Sequence, residues 1–172
     1  MDDVANKQIA AKSIVNMHKF EYFISSFTDS TLDMSIVNKV GRNYFFAGKE
    51  LQDLRNMIKR DVFSLGIFLG EEKNFFQPSP ACIDMISRLH GAEKKKIFIN
   101  KKAEWLFLCG RAVLEESIAK NPNNLNEGVV LVQNEQDENL GYGLFKQEGK
   151  DLVIRNILDK GKYLRMNERR RR

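Results

Sequence analysis

The chain has 172 residues, of which 42% are apolar and 12 are Phe, and its net charge is +5 at pH 7. This apolar content is enough to bury a core in one domain or in two small ones, so we expect a globular protein. No apolar run approaches the roughly 20 residues that span a bilayer, and the first residues lack the order of a secretory signal. We therefore expect neither a membrane protein nor a secreted one.

The first third of the chain carries the pattern of a helix followed by two strands. Apolar residues recur every three to four positions over residues 14–27, which predicts a long helix ending near Thr28. Alternation over residues 32–36, a turn at Gly41 and the aromatic run at 44–46 predict a hairpin. An antiparallel sheet packed with helices is the expected fold of this half.

Further elements complete this α+β unit. A second helical stripe is formed by Leu51, Leu54 and Ile58, and the dense apolar run over residues 62–69 predicts an interior strand. Ser79 stands before a proline, as an N-cap stands before the first residue of a helix, and Gly91 ends this third helix.

Beyond Gly91 the segments are shorter and more strand-like, so we place a hinge at residues 93–96 and a domain boundary near residue 92. The predicted elements are strands at 97–99, 129–132, 140–145, 152–158 and 163–164, one short helix at 103–108 and a further short apolar piece at 113–114. Short strands in this number predict a small mixed β-barrel, because closing a sheet leaves no exposed edge. The expected organisation is an α+β domain over 1–92, a barrel over 93–167 and a basic tail over 168–172.

Positive charge is concentrated at the end of the chain. Residues 146–172 contain ten Lys and Arg against four Asp and Glu, a net of +6, whereas residues 1–90 contain 11 of each and sum to zero. Charge of one sign on segments that also look folded indicates a partner that carries phosphate. Nucleic acid is therefore the first partner to consider.

Three pieces of the second half match, in order, the motifs of a known domain. They are Gly128-Val129-Val130, Leu140-Gly141-Tyr142-Gly143 and Lys160-Gly161-Lys162-Tyr163-Leu164-Arg165. With Phe107-Leu108-Cys109-Gly110 ahead of them, they resemble the PUA domain, named for pseudouridine synthases and archaeosine transglycosylases. Segments 63–70 and 76–79 resemble the pre-PUA domain of the Nip-seven family of large-subunit ribosome assembly factors. We expect an archaeal member of that family.

The resemblance runs from about residue 35 to residue 165 and implies a function. A PUA barrel of this family is implied to bind precursor ribosomal or uridine-rich RNA, and the N-terminal domain is implied to engage proteins of the pre-ribosome. Lys162 stands where many PUA domains carry an acidic residue, and Asp151, Leu152 and Leu158 stand where archaeal relatives carry cations. RNA contact therefore carries over most safely to Arg155.

Eight cations on strands, turns and one helix are candidate RNA contacts. Arg155 either grips a phosphate at the rim of the barrel or is a solvated or salt-bridged arginine. The lysines on either side of Gly161 either hold a phosphate or only keep the turn soluble. Lys101 and Lys102 lie at the start of the short helix, where backbone amides are presented to an anion. The candidates are Arg155, Lys160, Lys162, Arg165, Lys146, Lys150, Lys101 and Lys102. We hypothesise that they share one phosphate track.

Most aromatic side chains are expected in the core. These are Phe23, Phe27, Phe45, Phe63, Phe68, Phe98 and Phe107. Trp105 and Tyr142 are the two candidates for stacking on a base, although Trp105 is expected to pack on the barrel. Phe75 and Phe76 lie in a predicted loop, where they join the domains or bind a partner. Cys82 and Cys109 have apolar neighbours, which predicts two buried thiols and a reducing, intracellular location.

Catalytic, cofactor-binding and metal-binding residues are not predicted. His18 and His90 have no Cys or Asp at ligand spacing, and neither a phosphate-cradling glycine loop nor a Gly-x-Ser-x-Gly elbow occurs. We expect a noncatalytic, monomeric RNA-binding factor of large-subunit biogenesis, without a cofactor. Its location is expected to be the cytoplasm of an archaeon or the nucleolus of a eukaryote. A protein-interaction adaptor with weak RNA binding is the alternative, and an RNA-modifying enzyme is a distant one.

Overall fold

Two β-sheets, one in each half of the chain, organise the computed structural model, which describes residues 19–58, 61–162 and 165. The four strands of the first sheet are β1 (Val37–Val40), β2 (Asn43–Phe46), β3 (Ile67–Glu72) and β4 (Phe76–Pro78). They are antiparallel and lie in the order β1-β2-β3-β4. The helices of this half are α1 (Lys19–Ser25), α2 (Lys49–Met57) and α3 (Pro80–Ser87).

The second half of the chain contains a six-stranded sheet and the helix α4 (Lys101–Leu108). The strands are β5 (Lys96–Ile99), β6 (Val113–Leu114), β7 (Ile118–Lys120), β8 (Gly128–Gln133), β9 (Asn139–Glu148) and β10 (Asp151–Asp159). Their order is β6-β10-β9-β8-β5-β7, and only the β5–β8 pair among these described strands is parallel. Because β6 and β7 end this order and are joined by the short 3-10 turn Glu115–Ser117, the sheet curls into a nearly closed barrel. The predicted α+β class and mixed barrel are confirmed.

Local capping explains why α3 and α4 begin where they do. The Ser79 hydroxyl accepts a hydrogen bond from the Cys82 backbone N–H at 3.1 Å, and a proline occupies the first turn of α3. The Asn100 side chain accepts from the Ala103 backbone N–H at 2.9 Å at the start of α4. Such side-chain acceptors satisfy amides that have no partner inside the helix. The start of α3 predicted from the sequence is confirmed.

The main hydrophobic core crosses from the first sheet to the second. Phe20 of α1 and Ile83 of α3 are fully buried in the same cluster as Leu131 of β8. The Tyr142 ring of β9 lies edge-on to the ring of Phe23 in α1, with 5.6 Å between the two centroids. The two halves therefore share one core, and the domain boundary near residue 92 stays a prediction.

The segment over residues 62–69, which was predicted to form an interior strand, differs from that prediction. The strand expected over residues 62–69 begins only at Ile67, and its first two side chains are exposed. Phe63 and Phe68, both expected in the core, are exposed as well, with Phe68 retaining a ring contact to Phe45 at 5.6 Å. The reason is that only a small cluster around Phe45 and Leu65 covers this face.

Two other elements are placed differently from the sequence prediction. The alternating residues 32–36 do not form a strand, because the Asp33 carboxylate caps a 3-10 turn (Met34–Ile36) by accepting from the Ser35 backbone N–H at 2.9 Å. The residues expected to form a hinge form another 3-10 turn, Ala92–Lys95, and strand β7 was not predicted. The beginning of the first predicted helix and the predicted strand at 163–164 lie outside the described residues.

Candidate nucleic-acid interface

The outward face of the β9–β10 pair carries Arg155, Lys146 and Glu148. The Arg155 guanidinium donates two hydrogen bonds to the Glu148 carboxylate, one of them from Nε at 2.6 Å, and the Lys146 ammonium lies 3.1 Å from the same carboxylate. Hydrogen bonding from Arg155 is the main reason that the pKa of Glu148 falls from its ordinary value of 4.5 to about 2. Arg155 is thus exposed and salt-bridged. Because two cations share one carboxylate, the net charge that these three groups present to an RNA is only +1.

The hairpin that joins β9 to β10 carries another predicted contact. Lys150 is exposed beside Gly149, which has a φ of 65° and so occupies the left-handed region that glycine favours. Within the described residues, the Lys150 ammonium has no ion-pair partner. It is therefore available to a phosphate.

The turn after β10 is packed against the end of α4. A Cβ atom on Gly161 would lie 2.1 Å from the Leu108 carbonyl oxygen, so only glycine allows this approach. Lys160 reaches the other half of the protein, where its ammonium lies 2.9 Å from the Asp84 carboxylate of α3. Lys162 is exposed and makes no ion pair with any residue that the structure describes. Of the two lysines predicted on this turn, Lys162 is the free one.

Arg165 is held inside the protein rather than extended toward solvent. Its guanidinium donates to both carboxylate oxygens of Asp159, at 2.9 and 2.7 Å, and to the Leu108 carbonyl oxygen. The Asp159 side chain is only 2% exposed, and that of Arg165 is 35% exposed. The hydrogen bonds to Asp159 raise the pKa of Arg165 above its ordinary value. Arg165 therefore joins the end of β10 to the end of α4.

The outer face of α4 presents cations together with an aromatic ring. Lys101, Lys102 and Leu106 are exposed, and the only tryptophan, Trp105, is 70% exposed. Trp105 follows Lys101 by four residues, so both side chains lie on one helical face. The expectation that Trp105 packs on the barrel is wrong, and the four-residue spacing from Lys101 was the sequence signal for the exposed pair.

The eight predicted cations do not all meet. The first and last residues of α4 are about 10 Å apart along the helix axis. The α4 lysines lie at its start and the turn after β10 packs against its end, so the two groups of cations stand apart. Four of the eight are engaged by carboxylates, namely Lys146, Arg155, Lys160 and Arg165. The other four are exposed and have no ion-pair partner within residues 19–58, 61–162 and 165, namely Lys101, Lys102, Lys150 and Lys162.

Tyr142 and the two cysteines were also singled out from the sequence. Tyr142 is buried against α1, with 8% of the residue exposed, and burial raises its pKa to about 12. Little of its ring is therefore open to a base. Burial also raises the pKa of the Cys82 thiol. Cys109 is exposed, so the prediction of two buried thiols is half wrong.

A separate surface on the first half is apolar. Helix α2 has no fully buried residue, and the side chains predicted to face a core, Leu51, Leu54 and Ile58, are instead substantially exposed. Met57 on the same helix is 78% exposed. Contiguous exposed apolar side chains of this kind are typical of protein-interaction sites. The exposed face of α2 is therefore a candidate surface for a protein partner.

The described part of the chain contains neither a metal-ligand cluster nor a membrane-spanning helix. No group of three His, Cys, Asp or Glu side chains there is arranged to hold a metal ion. None of the helices formed by those residues has the length and apolar character needed to cross a bilayer.

Comparison with known proteins finds a similarity between the second half of the chain and one domain type. A family model described as the UPF0113 PUA domain matches residues 95–168. A UPF0113 protein of Archaeoglobus fulgidus is 28% identical over 80 residues, which are 42% of this chain and 46% of that relative. The chain thus spans about half the length of the curated relative that it matches.

Two solved archaeal structures are similar at low identity. A conserved PUA domain protein from Thermoplasma acidophilum has a TM-score of 0.48 and 12% identity, with 84% of this chain and 93% of that one covered. A hypothetical protein from Pyrococcus horikoshii has a TM-score of 0.40 and 16% identity, with coverage of 74% and 77%. Residues 95–168 match a PUA domain by the family comparison, and PUA domains generally bind RNA.

Proposed function

We propose that this protein is a noncatalytic RNA-binding factor in assembly of the large ribosomal subunit. In this proposal the barrel binds precursor ribosomal RNA, and the first half docks on a protein of the pre-ribosome. The observation that carries the proposal is that the segment matching a PUA domain presents four exposed lysines free of ion pairs within the described chain. The resemblance of residues 63–70 and 76–79 to the pre-PUA domain of the Nip-seven family supports the ribosomal assignment.

The free lysines set the expected salt dependence. Each phosphate that a protein neutralises on single-stranded RNA contributes a slope of about −0.7 to the dependence of log affinity on log salt. Four contacts from Lys101, Lys102, Lys150 and Lys162 predict a slope of about −2.8, which is about a fiftyfold loss of affinity between roughly 50 and 200 mM salt.

A salt titration of binding to a fluorescent oligouridine RNA tests the proposal. The double substitutions Lys101→Ala with Lys102→Ala, and Lys150→Ala with Lys162→Ala, should each reduce the slope by about 1.4 and weaken binding. Lys49→Ala on α2 is the matched control, because it removes one exposed cation from the half that does not match a PUA domain. No binding by the wild-type chain at low salt would refute the proposal.

A second candidate function is an adaptor whose barrel binds RNA weakly. The exposed apolar face of α2 favours it, and so do the ion pairs that Arg155, Lys146 and Lys160 make with carboxylates. A chain ending at Asn167, which lacks the terminal arginines, separates the two candidates. If RNA binding disappears with the tail while co-sedimentation with large-subunit precursors persists, the adaptor is the better description.

The remaining parts of the proposal are a monomeric state, the absence of catalysis, and location in the cytoplasm of an archaeon or the nucleolus of a eukaryote. Light scattering tests the monomer. Mass spectrometry of RNA incubated with the protein and candidate cofactors tests catalysis, and we expect the RNA mass to stay unchanged.

A further inference from the structure

A groove of about 380 Å³ lies where the first sheet meets the barrel. Phe68 of β3 and Gln77 of β4 line it from the first sheet, Ile157 of β10 and Lys162 line it from the barrel, and Phe75 is also in the lining. This volume falls within the range of about 300–1,000 Å³ that is common for small-ligand sites. We propose that this groove binds an unstacked base of single-stranded RNA, with Lys162 on a neighbouring phosphate. The inference rests on the proposed function and deepens it.

Aromatic and apolar side chains in the groove are open rather than packed away. Phe75 is 66% exposed, and Phe68 and Ile157 are also exposed. The Phe68 ring is held against the buried Phe45 ring with 5.6 Å between centroids, which fixes its position in the groove. Bases of single strands stack on such rings regardless of sequence, because every base has a π-face.

The backbone places Ile157 in the groove through an irregularity of β10. The register between β9 and β10 shifts between Asn156 and Leu158, so Ile157 has no partner in the ladder. A β-bulge of this kind redirects a side chain and is common beside functional sites. Leu158, which follows the bulge, is buried and contributes to the floor of the groove.

The charges around the groove favour an anionic group such as a phosphate over a neutral or cationic partner. The acidic side chain in the lining, Glu71, is paired with Lys73 at 2.9 Å. Lys19 adds a positive charge at the same turn, where its ammonium donates to the Lys73 carbonyl oxygen at 2.6 Å. Lys162 is exposed and without an ion-pair partner among the described residues, so it supplies the cation that a backbone phosphate needs.

The barrel residues that line the groove belong to the segment that matches a PUA domain, which makes RNA the occupant that the observations favour over a peptide. Arg155 lies two residues from Ile157 on the same strand, so a single strand of RNA held at the outer face of β10 reaches the groove directly. The groove thus supplies a ring for a base beside a cation for its phosphate.

The test compares two fluorescent ten-nucleotide oligomers, oligouridine and an abasic ribose-phosphate of equal length. The wild-type chain should bind oligouridine at least about fivefold more tightly, the lower end of the effect of one base on one aromatic ring. Phe75→Ala should remove that preference, whereas Phe75→Trp should retain it because the ring remains. Lys162→Gln should weaken binding of both oligomers. Phe63→Ala is the matched control, since Phe63 is an exposed phenylalanine outside the groove lining.

The outcomes separate this inference from the proposed function. If Phe75→Ala leaves the preference for bases unchanged while wild-type RNA binding is intact, the groove inference is wrong and the proposed function stands. If Phe75→Ala weakens association with pre-ribosomal protein but not with RNA, the groove is a peptide site and the inference is again wrong. If the wild-type chain binds neither oligomer, the proposed function fails first. Because Phe75 is largely exposed, its substitutions should leave the melting temperature unchanged.

Discussion

Replacing Arg165 with methionine should destabilise the protein, even though Arg165 was predicted from the sequence as an RNA contact. Methionine keeps much of the length of the side chain and removes the guanidinium. Three hydrogen bonds disappear, two to the Asp159 carboxylate and one to the Leu108 carbonyl oxygen. The Asp159 carboxylate then stays 98% buried without its cation. The free energy of unfolding should fall for that reason.

The size of the effect follows from the burial of the two partners. Removing one partner of a fully buried pair costs about 3–5 kcal/mol, whereas an exposed pair contributes about 0–1 kcal/mol. Asp159 is 2% exposed and Arg165 is 35% exposed, so water reaches one side of this pair. We therefore expect a loss of about 2–3 kcal/mol, which corresponds to a fall in melting temperature of about 4–12 °C for a chain of this length.

Urea unfolding followed by circular dichroism measures the loss. Arg155→Met is the matched control, because its ion pair with Glu148 lies at the surface and its removal should shift the midpoint much less than Arg165→Met does. Adding Asp159→Asn to the Arg165 variant should recover part of the stability, since it removes the unpaired carboxylate. If Arg165→Met loses less than about 0.5 kcal/mol and RNA affinity drops, the structural role assigned to Arg165 is refuted.

Three further predictions concern the surface pair and the thiols. Glu148→Gln releases Arg155, so the salt titration should show tighter RNA binding and a slope steeper by about 0.7; weaker binding would contradict this. Because Arg155 lowers the pKa of Glu148 to about 2 from an ordinary 4.5, the pair contributes stability above pH 4.5 that is lost as the pH falls toward 2. The difference in melting temperature between wild type and Glu148→Gln should shrink across that interval, and a constant difference counts against the pairing. A thiol reagent should label the exposed Cys109 and spare the buried Cys82 in the native protein, so two labels per folded chain would be inconsistent with this packing.

Elements whose signals are local were predictable from the sequence. The cap at Ser79 and the short apolar runs of β8, β9 and β10 are local signals, and each element was placed within a few positions. The resemblance of the second half to a PUA domain, which the family match over residues 95–168 supports, needed no coordinates either. The exposure of side chains was harder to predict from the sequence, because the apolar stripe on α2 has the same spacing whether or not other parts of the protein cover it.

The sequence by itself determined the α+β class, the barrel and a concentration of cations near the end of the chain. Only the tertiary structure decided which cations are free, because the partners of Arg155, Lys160 and Arg165 come from a hairpin neighbour, a helix of the other half and a buried strand end. It also decided that the two halves meet in a groove beside Lys162. A charge is read from one residue, whereas its availability depends on every group folded against it.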